Sequence, residues 1–236
     1  MMVLIGLPAG GVRADPAADL VRIHLEAIGG RTRVETLRTL RATGRVFVGS
    51  RELTFEMIAA RPNRVRVTTR GDGRTVVQGY DGATAPWRWE PGAKARAMPA
   101  AEAQDFVADA AFDDPLVDPA ARGIAVDFAG ETLENGHRRL RVLVTQGDAP
   151  PSFLTLDGET YFILRKEVTR RLASGREAKF TTVYGDYRPV GGVALPHRIE
   201  AWADGVLLHR TELGRVEANA GLAAGAFAAP AGGRER

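Results

Sequence analysis

Apolar and polar residues alternate with a period of two through most of this chain, and that pattern commits it to β-structure. In "LRATGRVFVG", Leu40, Ala42, Val46 and Val48 oppose Arg41, Thr43, Arg45 and Phe47; in "ELTFEMIA", Leu53, Phe55 and Met57 oppose Thr54, Glu56 and Ile58. "NRVRVTTR", "TVVQGYDG" and "APWRWEPG" extend the alternation to five strands in meander order. It resumes after residue 119 in seven more segments, from "IAVDFAGETL" to "VLLHRTELGRVEA". Gly49-Ser50-Arg51, Asn135-Gly136, Asp157-Gly158, Gly175 and Asp204-Gly205 supply the turns. A sheet of about a dozen short antiparallel strands cannot stay flat; it curls into an open or closed barrel. The expected fold is therefore mainly β with helices, one domain over residues 15–230.

Two segments break the pattern. "DPAADLVRIHLEAIGG" reads as a helix capped by Asp15, opened by Pro16 and ended by Gly29-Gly30, with a short helical turn after it. Residues 99–119 are helical in their first half, where Phe106 and Ala110 stand four apart, and loop-like from Asp113, since Pro115 and Pro119 forbid a long helix. Ahead of the first helix, "MMVLIGLPAGGVRA" (1–14) has the short apolar run and the Val12-Arg13-Ala14 end of a secretory signal, so export is expected. The Ala/Gly-rich tail from Leu222 is expected to be mostly unstructured, with 231–236 disordered.

Little in the sequence points to catalysis. The absence of cysteine excludes disulfides and thiolate chemistry. The serines, Ser50, Ser152 and Ser174, lie in or beside expected turns and outside any nucleophile-elbow pattern. The histidines, His24, His137, His197 and His209, fall at no metal-ligand spacing. "FDDPLVD" gathers Asp113, Asp114 and Asp118 but lacks the spacing and glycine of a calcium loop. The balance of 32 basic to 29 acidic residues gives no basic stripe for nucleic acid. The expectations are no enzyme activity, no catalytic residue, no metal and no cofactor.

The surplus of large apolar groups suggests binding instead. Phe47 and Ile58 lie on otherwise polar strand faces, and Trp87 and Trp89 share one face. A cavity or groove for an apolar ligand is expected, walled or lidded by Phe47, Phe55, Met57, Trp87, Trp89, Phe106, Phe112 and Leu116.

The succession of a helix, Gly29-Gly30, "LRTLRATGRV", a strand pair, "RPNRVRV", "VVQGYDG" followed by Trp87, "FDDPLVD" and "VYGDYRPVGGVALPHRIE" resembles the outer-membrane lipoprotein-sorting proteins. These form a superfamily with the carrier LolA, the receptor LolB and the sigma-factor regulator RseB. The resemblance implies an unclosed antiparallel β-barrel wrapped around helices, a periplasmic location and a cavity for lipid or lipoprotein acyl chains. Its partners would be a lipid or acyl chain and membrane-bound donor or acceptor proteins, without nucleic acid or stable membrane insertion. The alternative is a non-catalytic regulatory module that docks a protein. Within the resemblance, "GDYRPVGGVALPHRIE" is a hairpin turning at Gly191-Gly192, with His197 at the barrel rim.

Overall fold

The structure, a computed structural model, describes residues 15–172 and 175–230. The expected export signal (1–14) and end of the tail (231–236) lie outside the described residues. Helix α1 (Pro16–Ala27) begins where the Asp15 carboxylate accepts the Ala17 backbone N–H at 3.0 Å, and α2 (Arg31–Thr36) follows the two glycines. Six strands come next: β1 (Thr39–Val48), β2 (Arg51–Ala60), β3 (Arg64–Gly71), β4 (Arg74–Tyr80), β5 (Trp87–Trp89) and β6 (Arg96–Ala97). Helix α3 (Ala100–Asp109) and a 3₁₀ turn (Ala120–Arg122) then intervene. The chain ends in β7 (Ile124–Glu134), β8 (His137–Gln146), β9 (Ser152–Asp157), β10 (Ile163–Arg171), β11 (Glu177–Val190), β12 (Val193–Ala203) and β13 (Val206–Ala218).

All thirteen strands share one antiparallel sheet, in the order β6-β5-β4-β3-β2-β1-β13-β12-β11-β10-β9-β8-β7. Every neighbour is consecutive in sequence except β1 and β13, whose pairing joins the two halves. The edges, β6 and β7, do not pair with each other, so the barrel is unclosed. Because β6 and β7 are also the strands that flank α3 in sequence, the segment carrying α3 has to cross that gap.

The β11–β12 hairpin projects past both neighbours. β10 pairs with β11 only as far as Val183, and β13 pairs with β12 only from Arg198 on. Pro189 and Pro196 lie in this projecting end, paired to Ala194 and Tyr187 within the hairpin, where a missing N–H costs no bond to a further strand. The elbow between α1 and α2 fills the space beside it, backbone against backbone. The Ala194 N–H donates to the Ile28 carbonyl at 2.7 Å, and a Cβ on Gly29 (φ +133°) would stand 2.4 Å from the Gly192 carbonyl oxygen. The two glycine pairs read as separate turns in the sequence are thus one contact. His197, expected at the rim, is 5% exposed, with Nδ1 3.0 Å from the Leu195 carbonyl.

The three aspartates of "FDDPLVD" fasten the gap-crossing segment to the rest of the molecule. Asp113 pairs with Arg61, whose guanidinium also donates to the carbonyls of Leu37 and Val34 at 2.7 and 2.6 Å and lies over the Phe112 ring. Asp118 takes a 2.5 Å bond from Arg31 on α2. Asp114 meets His24 of α1 at 3.2 Å and accepts the Leu116 N–H. The other His24 ring nitrogen, Nδ1, lies 2.8 Å from the Tyr161 carbonyl oxygen. A carbonyl can only accept, so Nδ1 carries hydrogen, and a proton on Nε2 is what bonds Asp114.

Burial opposes charge on His24, but the Asp114 carboxylate and the Tyr161 carbonyl outweigh it and raise its pKa above 6.5. Burial likewise opposes charge on Asp114, yet its bonds to His24 and the Leu116 N–H hold its pKa below 3.8. The raised histidine stabilises the fold fully below about pH 6.5 and loses that contribution as pH rises through its folded value. The depressed aspartate contributes above about pH 4 and loses its share as pH falls through its folded value.

Two hydrophobic clusters fill the ends of the curl. One gathers Leu25, Ile28, Val34, Leu37, Leu40, Val65, Val190 and Val193. The other gathers Leu20 and Leu116 with Ile124, Leu140, Val142, Leu154, Leu156 and Ile163. The tail is ordered further than its composition predicts. Phe227 is buried, its carbonyl accepts the Trp87 indole N–H at 3.0 Å, and Arg64 lies over its ring.

Two denaturation series check this account. Gly29→Ala is expected to cost roughly 2–4 kcal/mol from backbone strain and overpacking. Gly49→Ala, at a turn with open space around the new methyl, is expected to cost about 1 kcal/mol; equal losses at the two sites would remove the elbow contact from the account. His24→Gln is expected to lower stability by about 1.5–3 kcal/mol at pH 5.5 and by clearly less at pH 9. A loss that grew with pH would contradict the charged His24–Asp114 pair.

Candidate functional site

Between the two clusters the concave face of the sheet is not filled. A cavity of about 830 Å³ remains, bounded by the sheet, by α1 and α2, and by the gap-crossing segment. Its size falls in the range of small-molecule sites, ~300–1,000 Å³. The sheet side is apolar: Leu40, Met57, Val144, Leu154, Val168, Phe180, Ile199, Leu213 and Val216 face inward. Tyr184 and Tyr187 also line it; burial pushes both phenols up, so they stay neutral, and Tyr187 spends its O–H on the Ile163 carbonyl at 2.6 Å.

The α3 side differs. Ala101, Gln104, Asp105, Ala108 and Asp109, which follow the i, i+3, i+4 spacing of one helix face, line the cavity with small and polar groups. Phe106 and Val107 turn away and pack on the first cluster. No residue of α3 is fully buried, so the helix lies over the opening without being embedded in the core.

The structure separates the eight residues that the sequence groups together. Met57 and Phe112 line the cavity. Phe106 and Leu116 pack in the clusters beside it, Leu116 fully buried. Phe55 is buried, paired in register with Gly44 of β1, and lines a second concavity rather than this cavity. Trp87 and Trp89 form a third cluster with Val77. Phe47 sits on the outer face, with the guanidiniums of Arg45 and Arg210 at 5.5 and 4.7 Å from its ring centroid.

Sequence reasoning passed over Lys166. On the outer face of β10, Glu167 is ringed by Arg141, Arg165 and Lys179. Lys166 stands on the opposite face, paired in register with Leu154 and Thr182, and lines the cavity. The available signal was phase: in "ILRKEVTRR" the lysine falls in step with Val168, not with the charged residues beside it. Burial pulls its pKa down, with Asp109 opposing that shift. Asp109 lines the cavity, and the protein packed around it raises its carboxyl pKa, against the pull of Lys166 and Arg170.

The second concavity, about 730 Å³, lies at the β1–β13 seam, with Arg45, Asp186, Arg188, Arg198 and Glu212 among its lining. Its charges pair among themselves, as Asp186 does with Arg188 and Arg45 with Glu212. The inner cavity, where apolar wall and charge are both unsatisfied, is the candidate site. Among the described residues no group of three or more His, Asp or Glu side chains is placed to hold a metal ion, and no helix is long and apolar enough to cross a membrane.

No family model and no curated protein matches the sequence. Solved structures do. A DUF1329 family protein from Desulfovibrio piger superposes with a TM-score of 0.62 at 11% identity, over 91% of this chain and 98% of that one. A LolA superfamily protein from Nitrosomonas europaea superposes with a TM-score of 0.57 at 12% identity, again over 91% and 98%. At such identities the likeness is one of architecture, and the architecture of this chain is LolA-like.

Proposed function

We propose that this protein is a non-catalytic periplasmic carrier or binding protein that holds lipid or lipoprotein acyl chains in the cavity between its curved sheet and its helices. The observation that carries this reading is the cavity itself, an apolar concave wall left unfilled between two packed clusters. Withdrawing a sixteen-carbon chain from water onto such a wall is worth on the order of 10 kcal/mol gross, at about 0.8 kcal/mol per methylene. No reactive group is required for that. The LolA-like architecture agrees with the reading.

A protein-docking role has one feature in its favour. β7 is an edge strand, and Phe128 and Leu133 are exposed on it at 39% and 75%. A partner strand adding to that edge would meet both a free ladder and apolar side chains.

Titration with a fluorescent fatty acid tests the carrier reading. Met57→Arg, at a half-buried position on the wall, is expected to weaken binding at least tenfold with little change in unfolding midpoint, because it sets a charge where the chain would lie. Phe47→Ala, on the outer face, is expected to leave binding unchanged. Full binding by folded Met57→Arg, or equal loss in both variants, would place the ligand elsewhere.

A further inference from the structure

The cavity has two chemically different poles, and the polar one bears on the kind of lipid that fits. Lys166 projects from the apolar sheet wall toward the polar stripe of α3, and its ammonium makes no hydrogen bond or salt bridge among the described residues. The neighbouring charges leave it in that state. Asp105 is taken by Arg170. Asp109 acts on Lys166 through space without a direct bond.

An ammonium among Leu154, Val168 and Phe180 has lost much of its hydration and gained no full partner in return. Asp109 is itself out of place for helix stability, an acidic group in the last turn of α3 where the helix dipole favours a cation. Its position makes sense as a counter-charge held opposite Lys166.

We propose that Lys166 is the head-group anchor of the cavity, so that the ligand is an acidic amphiphile whose carboxylate or phosphate meets Lys166 while its chain runs along the apolar sheet. This rests on the carrier reading and narrows it from any acyl chain to an acid-headed one. A bound acid supplies the hydrogen-bonded counter-ion that Lys166 lacks. Asp109, a like charge, opposes that acid at the same pole, and its removal strengthens binding.

Three ligands of one chain length test this in the full protein: hexadecanoate, hexadecyl phosphate and hexadecanol. Wild type is expected to bind at least one acid tenfold or more tighter than the alcohol, and the acid with the larger preference names the head group. Lys166→Gln is expected to erase the preference while keeping the affinity for hexadecanol, and Asp109→Asn to tighten acid binding severalfold with the alcohol unchanged. Equal binding of acids and alcohol by wild type would overturn the anchor and leave the carrier reading standing, as would a Lys166→Gln variant that retains the acid preference. A Lys166→Gln variant that loses all three ligands together would make the lysine structural. Failure of wild type to bind any of the three would sink the carrier reading itself.

Discussion

The rest of this structure depends on a mismatch between sheet and helices. Thirteen strands at about 4.8 Å spacing make a sheet nearly 60 Å across its strands, and the right-handed twist of each pair curls it. Against its concave face stand helices of twelve, six and ten residues. At about 1.5 Å per residue these span roughly 18, 9 and 15 Å, too little to cover it. α1 and α2 are drawn to one place by the Gly29–Gly192 approach and by the Ile28–Ala194 hydrogen bond. The gap-crossing segment is tied down by three aspartates on three different partners. Both attachments secure the rim, so the middle of the concave face keeps its cavity.

Topology decides where the barrel is open. The seam that holds the barrel together is β1 on β13, the two strands farthest apart in sequence, while the free edges belong to the strands that flank α3. An insertion between those edges cannot avoid spanning the opening. This gives α3 its position over the cavity without requiring it to be well packed, and none of its residues is buried.

Much of this was legible in the sequence, for reasons that particular residues show. The period-two pattern found the long strands because most of them turn one face toward the core, and the caps and glycines fixed α1. Which apolar side chains share a space was not legible, since that depends on the register between strands remote in sequence. Phe47 alternates correctly with Val46 and Val48, but its role is to lie between Arg45 and Arg210 on the outer face, a contact made across the β1–β13 seam. Trp87 and Trp89 share a face as expected, yet β5 lies next to the two-residue edge strand β6, where they close a local cluster. The acidic run looked like a candidate cation loop or a solvated turn because its partners, His24, Arg31 and Arg61, stand 90, 87 and 52 residues away. Lys166 was visible only as a lysine in an apolar phase, a signal that gains meaning once the opposite wall is known to be α3.

The claim on which the functional account turns is that the cavity holds a lipid. Native mass spectrometry with lipid extraction, on the protein exported to a bacterial periplasm and purified without detergent, tests it most directly. The account predicts a bound amphiphile close to one per chain, recoverable by extraction and carrying an acidic head. A clean apo mass from folded protein that also takes up no fatty acid would contradict it and turn attention to the exposed edge of β7.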